Sequence, residues 1–324
     1  MLKRLMEVLN KLLTLIPVTG RVDVRCHFGP PWRIEQAAAN QWEVPYHVLL
    51  SGEAVVENDE GRALRMGPGD IVLFPAREGH RLHDGSGKRA RRIHERQADG
   101  LTLADNDAKV HDAELLCGRF LLPVVPQRLL LDHLPGMLLV RGMQRDADGT
   151  PAAPASFAGT RLARLIELMR EEAREQPPGS EAVINQLSGA LFAMTLRFAS
   201  ESPEPPRGLL ALAQQPRLQP ALAAMFDEPG HDWTLPVLAA RCNMSRATFV
   251  RHFDEAFGRS PSELLTEIRM TLAGRKLAQT PTSVAAIGES VGYRSDAAFQ
   301  RVFKRTVGMT PAQWRARARS TART

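Results

Sequence analysis

Arg246 and Arg251 stand five residues apart, and Gln300 and Arg301 follow some fifty residues later. These side-chain types read base edges. A guanidinium pairs with guanine through two parallel hydrogen bonds, and a carboxamide does the same with adenine. Beside them, Ser245, Thr248, Ser295 and Lys304 carry the hydroxyl and ammonium groups suited to phosphate, contacts that position a protein on a duplex without reading it. Asp296 is out of place in this set, because phosphate repels it unless it accepts from a cytosine amino group. Its expected role is to cap its own helix.

Groups of this kind need a rigid scaffold, and the chain provides one twice. Ser245/Ser295, Phe249/Phe299, Phe253/Phe303, Gly258/Gly308 and Pro261/Pro311 all recur at a separation of 50. Such repetition predicts two equivalent units. In each, a short helix (235–242 and 283–291) stops at Asn243-Met244 or Gly292-Tyr293, where Asn and Gly tolerate the left-handed conformation of a helix end. Ser245 and Ser295 are N-caps for a second helix whose two Phe share one buried face. Ser260-Pro261-Ser262-Glu263 and Thr310-Pro311-Ala312-Gln313 read as capping boxes with Pro in the first turn. A plain helical bundle would have similar helices, but not the doubling with base-reading types turned outward. The pattern is the helix-turn-helix, and the first turn of its second helix can enter a major groove. A long helix over 261–278 would hold the two units about one helical turn of duplex apart.

Ser245-Arg246-x-x-Phe249-x-x-x-Phe253, Ile287…Val291-Gly292-Tyr293, Phe299-x-x-x-Phe303-Lys304 and Gly308-x-Thr310-Pro311 together resemble the DNA-binding domain of AraC-type transcriptional regulators, over about a hundred residues. The resemblance implies double-stranded promoter DNA as partner, and RNA polymerase as a second if the protein activates. Gly288 departs from the family's Ala and is expected to loosen its helix. Charge agrees with this reading. Thr234–Thr324 carries 15 Arg and Lys against 6 Asp and Glu, whereas the remainder carries 27 against 30. A basic module on a mildly acidic body is the electrostatic footprint of nucleic-acid binding.

Upstream, residues 21–28 alternate, with Val22, Val24, Cys26 and Phe28 on one face. Such alternation predicts a half-buried strand. Further strands are expected at 47–50, 54–57, 71–74, 80–83 and 114–120, separated by turns such as Gly67-Pro68-Gly69-Asp70. Short punctuated strands suggest an antiparallel barrel or jelly roll. Tyr46-His47…Gly52 and Gly67-Pro-Gly-Asp70…Gly79-His80 resemble the cupin barrel, which AraC-type regulators often carry as a sensory domain. Cupins commonly hold a metal through a His-x-His…Glu element that is missing here, so no metal or other cofactor is expected. His47 and His80 are instead candidates for an effector pocket at the barrel mouth. Neither a nucleophile–base pair nor paired acids mark the barrel as an enzyme. A metal-dependent cupin enzyme fused to a helical tail is the alternative reading.

Of three cysteines, Cys242 reads as a small core hydrophobe at the position of Val291 in the second unit. Arg25-Cys26-His27…Trp32 and Leu115-Leu116-Cys117-Gly118-Arg119 resemble a cupin-bearing AraC branch that includes regulators sensing reactive chlorine through two cysteines. The resemblance implies Cys26 and Cys117 as a redox sensor, and cationic neighbours would raise their reactivity. The alternation equally fits Cys26 as a buried structural thiol, and a small-molecule effector in the barrel stays open.

The whole is expected to be a multidomain α+β chain. Residues 1–125 form a cupin-like β-barrel (jelly roll), 126–206 a helical linker, and 207–324 an all-α domain with two helix-turn-helix motifs. Within the linker, 141–160 reads as a loop and Arg161–Glu175 as a helix. A second helix from Ser180 carries a stripe of Val183, Leu187, Leu191, Met194 and Phe198. The pair could form a homodimer or simply pack on the barrel. Ser200–Arg207 is a stiff Pro-rich linker, and Pro216–Asp227 opens the DNA-binding domain. Residues 1–13 read as a packed amphipathic helix rather than a signal. No apolar run approaches a membrane span, and with so few cysteines a reducing cytoplasm is expected.

Overall fold

A computed structural model of the chain describes residues 2–98, 100–122, 128–132, 134–142, 157–201 and 208–321. The elements are α1 (Leu2–Leu15), β1 (Thr19–Phe28), β2 (Arg33–Gln36), β3 (Glu43–Ser51), β4 (Ala54–Asn58), β5 (Ala63–Met66), β6 (Ile71–Leu73), β7 (His80–His83), β8 (Ile93–Ala98), β9 (Leu101–Asn106), β10 (Ala113–Leu121), α2 (Arg128–Leu131) and β11 (Leu138–Val140). They continue with α3 (Phe157–Glu175), α4 (Ser180–Glu201), α5 (Leu209–Ala213), α6 (Gln219–Asp227), α7 (Leu235–Arg241), α8 (Arg246–Phe257), α9 (Pro261–Gln279), α10 (Val284–Ser290), α11 (Asp296–Val307) and α12 (Pro311–Thr321). Two compact units result. One contains 18–122 with 135–199, and the other contains 1–17 with 123–134 and 200–324.

The first unit is a cupin barrel of two sheets, ordered β11-β6-β3-β10-β1-β9-β8 and β2-β7-β4-β5. Every pairing is antiparallel except β1 with β9, a parallel contact that the expected antiparallel barrel does not include. Between the sheets, Phe28, Trp32, Leu49, Val56, Phe74 and Leu82 are buried. Side chains of this size each stabilise the fold by about 1.5–3 kcal/mol.

The outer face of β1 is not solvated, as simple alternation would have it. Arg25 is 9% exposed, and its Nη1 donates to the Ala173 carbonyl of α3 at 3.1 Å. On the same face, Tyr46 Oη lies 2.7 Å from Ser188 Oγ of α4. At Gly20 a Cβ would fall 2.1 Å from that Ser188 Oγ, so only glycine lets α4 come this close. The linker helices therefore cover the barrel. The expected stripe on α4 is rotated by a position. Val183 is exposed, whereas Ile184, Ser188, Leu191 and Thr195 are buried. Two hydroxyl residues disguised that face, and both are satisfied there, Thr195 by donating to the Leu191 carbonyl at 2.8 Å. Most of the expected 141–160 loop and of the 200–207 linker lies outside the described residues.

In the second unit, α1 buries Val8, Leu9, Leu12 and Leu15, Ile16 just beyond it is buried too, and the helix packs on α5 and α6. Lys11 Nζ reaches Asp227 at 2.8 Å, and Arg275 donates to the Thr14 carbonyl at 2.8 Å. The helix expected from Pro216 opens at Gln219. Its Pro220 occupies the first turn, where a missing N–H costs nothing.

Candidate nucleic-acid interface and thiol site

The two repeats fold as equivalent units. Helices α7 and α10 end at Asn243 and Gly292, both left-handed with φ of 53° and 90°. Ser245 Oγ then accepts from the Thr248 amide, and Ser295 Oγ from the Ala298 amide, starting α8 and α11. Left-handed Gly258 and Gly308 close them. Phe249, Phe253, Phe299 and Phe303 are fully buried, and Cys242 and Val291 occupy matching core positions. Both capping boxes form, Ser260 N donating to Glu263 Oε2 at 2.8 Å and Thr310 N to Gln313 Oε1 at 2.9 Å. Between the units runs α9, to which Trp314 is tied by Nε1 donating to the Gly274 carbonyl at 3.0 Å. Gly288 does more than loosen α10. A Cβ there would stand 2.9 Å from the Phe299 ring, so its absence lets α11 pack closely.

Arg246 and Arg251 on α8, and Asp296, Gln300, Arg301 and Lys304 on α11, are all exposed, as are Ser245 and Ser295. Thr248 is half-buried, its hydroxyl 2.9 Å from Ser245 Oγ and engaged in the cap. Ser295 is the N-cap of α11 rather than Asp296, whose Oδ2 accepts from Gln300 Nε2 at 2.7 Å. An acid in the first turn suits the positive end of the helix dipole. Ala247, Val250 and Asp254 line one shallow surface with Arg246 and Arg251. These three are not among the contacts expected from the sequence, although the 50-residue repeat places Val250 at the position of Gln300.

The other cluster lies inside the barrel. Strands β1 and β10 pair antiparallel, Val24 opposite Cys117 and Cys26 opposite Leu115, with a register shift between Val22 and Val24. This diagonal puts the Cys26 and Cys117 sulfurs 4.0 Å apart. Both thiols are buried and free. Cys117 faces His47 directly across β10 and β3. His47 on one sheet meets His80 on the other, Nε2 to Nε2 at 2.7 Å, with His80 stacked on Phe74. Both imidazoles are buried, and the open hollow bordered by Val55, Leu64, Arg65, His83, Asp84 and Arg141 involves neither them nor the two cysteines. The hydrogen bond from Cys26, followed by the charge of His47, lowers the Cys117 thiol to about 5 against the cost of burial. Cys26 is raised, by its hydrogen bond with Cys117 and by burial. Burial and the neighbouring His47 lower His80 to about 3. Among the described residues, no group of three or more His, Cys, Asp or Glu is arranged to hold a metal ion.

On the opposite face of the same strands, Glu114 gathers Arg25, His27 and Arg170. Burial opposes its ionisation, but hydrogen bonds from His27 and Arg25 and the Arg25 charge outweigh it and hold the carboxyl at about 2.

A cupin barrel followed by paired, basic helix-turn-helix units defines a DNA-binding regulator. A cupin family model matches residues 7–201, and a helix-turn-helix domain model matches 238–317. An uncharacterized HTH-type transcriptional regulator of Haemophilus influenzae is 30% identical over 96% of this chain and 98% of its own. The RCS-specific HTH-type transcriptional activator RclR of Escherichia coli is 28% identical over 98% and 100%, and the HTH-type transcriptional regulator MtrA of Neisseria gonorrhoeae 29% over 96% and 98%. The chain belongs to the AraC-type transcriptional regulators that carry an N-terminal cupin domain. No described helix is long and apolar enough to cross a membrane.

Proposed function

We propose that this regulator acts in the cytoplasm, reads a bipartite operator, and is switched by oxidation of Cys26 and Cys117. In this reading residues 1–125 sense, 126–206 link, and 207–324 bind DNA. The observation that carries the redox part is two free thiols 4.0 Å apart on paired strands, one shifted toward thiolate and the other away from it. Likeness to a relative named as RCS-specific makes reactive chlorine the first oxidant to test. Disulfide formation needs the sulfurs at about 2.05 Å, so β1 and β10 must shift against each other. Strand β1 follows α1, and β10 leads into 123–134, both grouped with the C-terminal helices in one compact unit. A shift in this strand pair thereby has two covalent routes into the DNA-binding unit. Exposed Leu168 on α3 and Val183 on α4 support a homodimer through the linker helices. RNA polymerase is the further partner of an activator.

On DNA, Arg246, Arg251, Gln300 and Arg301 take base edges, and Val250 and Ala247 supply apolar contact to thymine methyls. Ser245, Thr248, Ser295 and Lys304 position the backbone. Arg246→Ala weakens specific binding by about 1–3 kcal/mol and relaxes one base position. Competition footprinting at fixed salt reads both changes, and an unaltered footprint removes Arg246 from the reading set. Wild type exposed to hypochlorous acid changes promoter output, whereas the Cys26→Ser/Cys117→Ser double variant does not. A double variant that responds like wild type refutes the thiol switch.

A further inference from the structure

The hydrogen bonds of the two histidines beside the thiol pair define a direction. The Glu78 carbonyl can only accept, so His80 Nδ1 carries the hydrogen in their 3.1 Å contact. A neutral imidazole with Nδ1–H has a bare Nε2. The 2.7 Å contact between the two Nε2 atoms therefore has His47 as donor and His80 as acceptor. That assignment leaves His47 Nδ1 as a lone pair. His47 is 2% exposed, and its Nδ1 is buried with no hydrogen-bond partner. An unpaired base inside a protein calls for a functional account. Its cross-strand neighbour is Cys117.

We propose that His47, held in its tautomer by His80 and the Glu78 carbonyl, is the base that activates Cys117 as the thiol attacked first by a hypohalous acid, with Cys26 as the thiol that resolves it. This assignment rests on the redox reading and gives its two cysteines different roles. Cys117 passes its proton to His47 Nδ1. The imidazolium keeps its Nε2–H on His80, which stays neutral because burial and the neighbouring His47 disfavour its charge. The Cys117 thiolate takes the halogen from HOX, the O–X bond breaks, and hydroxide leaves. Cys26 sulfur then attacks Cys117 sulfur, the S–S bond forms, and halide departs. The Cys26 proton converts hydroxide to water. Two thiols lose two electrons, and the halogen gains them. Other groups acting on the pair are Asp23, which raises Cys117, and Glu95, which raises Cys26.

The readout is the pH profile of Cys117 modification, because a lower thiol pKa also lowers intrinsic nucleophilicity and the two effects offset each other in a rate at pH 7. Full-length protein is treated with methyl methanethiosulfonate between pH 4.5 and 9, and Cys117 modification is followed by peptide mass spectrometry. Wild type inflects near 5. In His47→Gln the inflection moves upward by at least about one unit toward the ordinary thiol value of about 8.5. His80→Gln keeps an acceptor for His47 and retains the low inflection, whereas His80→Leu loses it. Thermal unfolding shows that each variant is folded. An inflection in folded His47→Gln equal to that of wild type overturns the role of His47 as the base, even if hypochlorous acid still joins Cys26 to Cys117. Failure of wild type to form that disulfide overturns the redox reading itself.

Discussion

Glu114→Ala is expected to destabilise the barrel unit by about 3–5 kcal/mol, the cost of breaking a buried ion pair from one side. Glu114 accepts from Arg25 Nε at 3.0 Å and Nη2 at 2.8 Å, and from Arg170 Nε at 3.0 Å. The Arg25 side chain is only 10% exposed, so removing the carboxylate strands a buried guanidinium with little beyond the Ala173 carbonyl. The contribution also depends on pH. Glu114 has its carboxyl held at about 2 in the folded protein, below the ordinary 4.5 it regains on unfolding. A lowered folded value stabilises fully above the unfolded value and is lost as pH falls through the folded one. The full effect is about 3 kcal/mol at pH 7, and it shrinks by about 2 kcal/mol by pH 3. Urea unfolding of wild type and Glu114→Gln at both pH values measures this. A gap between the two proteins that is the same at pH 3 and pH 7 contradicts the account.

The second large effect falls in the DNA-binding unit. Phe303→Ala costs about 3–5 kcal/mol, as expected for emptying a filled aromatic site. Phe303 is fully buried, with its ring centroid 5.7 Å from Phe299 and 6.2 Å from Trp314. It anchors α11 to α12, so α11 loses its foundation in the variant. The variant should retain weak, non-specific DNA binding and lose the distal half of its footprint. Arg305→Ala, exposed on the same helix, should stay within about 0.5 kcal/mol of wild type in stability. A Phe303→Ala protein as stable as wild type would mean that this core is not what holds α11.

The helix-turn-helix units were legible because their signals are local. Ser caps, left-handed Asn and Gly, Pro in first turns and Phe at helical spacing each act within a few residues, and the repeat stated them twice. Barrel strands with continuous apolar faces, β3 and β10, were legible for a similar reason. Strands β2 (Arg-Ile-Glu-Gln) and β8 (Ile-His-Glu-Arg-Gln-Ala) were not, since both are largely exposed and owe their conformation to partners far along the chain. The two cysteines could be placed on strands but not beside each other, because register is a tertiary property. His47 and His80 meet only because two sheets face each other, and Arg25 is buried only because α3 covers it. Contacts made by folding around a charge leave no period in a sequence.

The central claim is that two recognition helices on one chain read successive major grooves. The measurement that tests it most directly is selection of the purified full-length protein against a random duplex library at fixed salt. The account predicts an enriched site of two blocks centred about 10 base pairs apart, one block fading in Arg246→Ala and the other in Gln300→Ala. Retained DNA shows no preferred sequence, or a single block that both variants weaken alike, if the account is wrong.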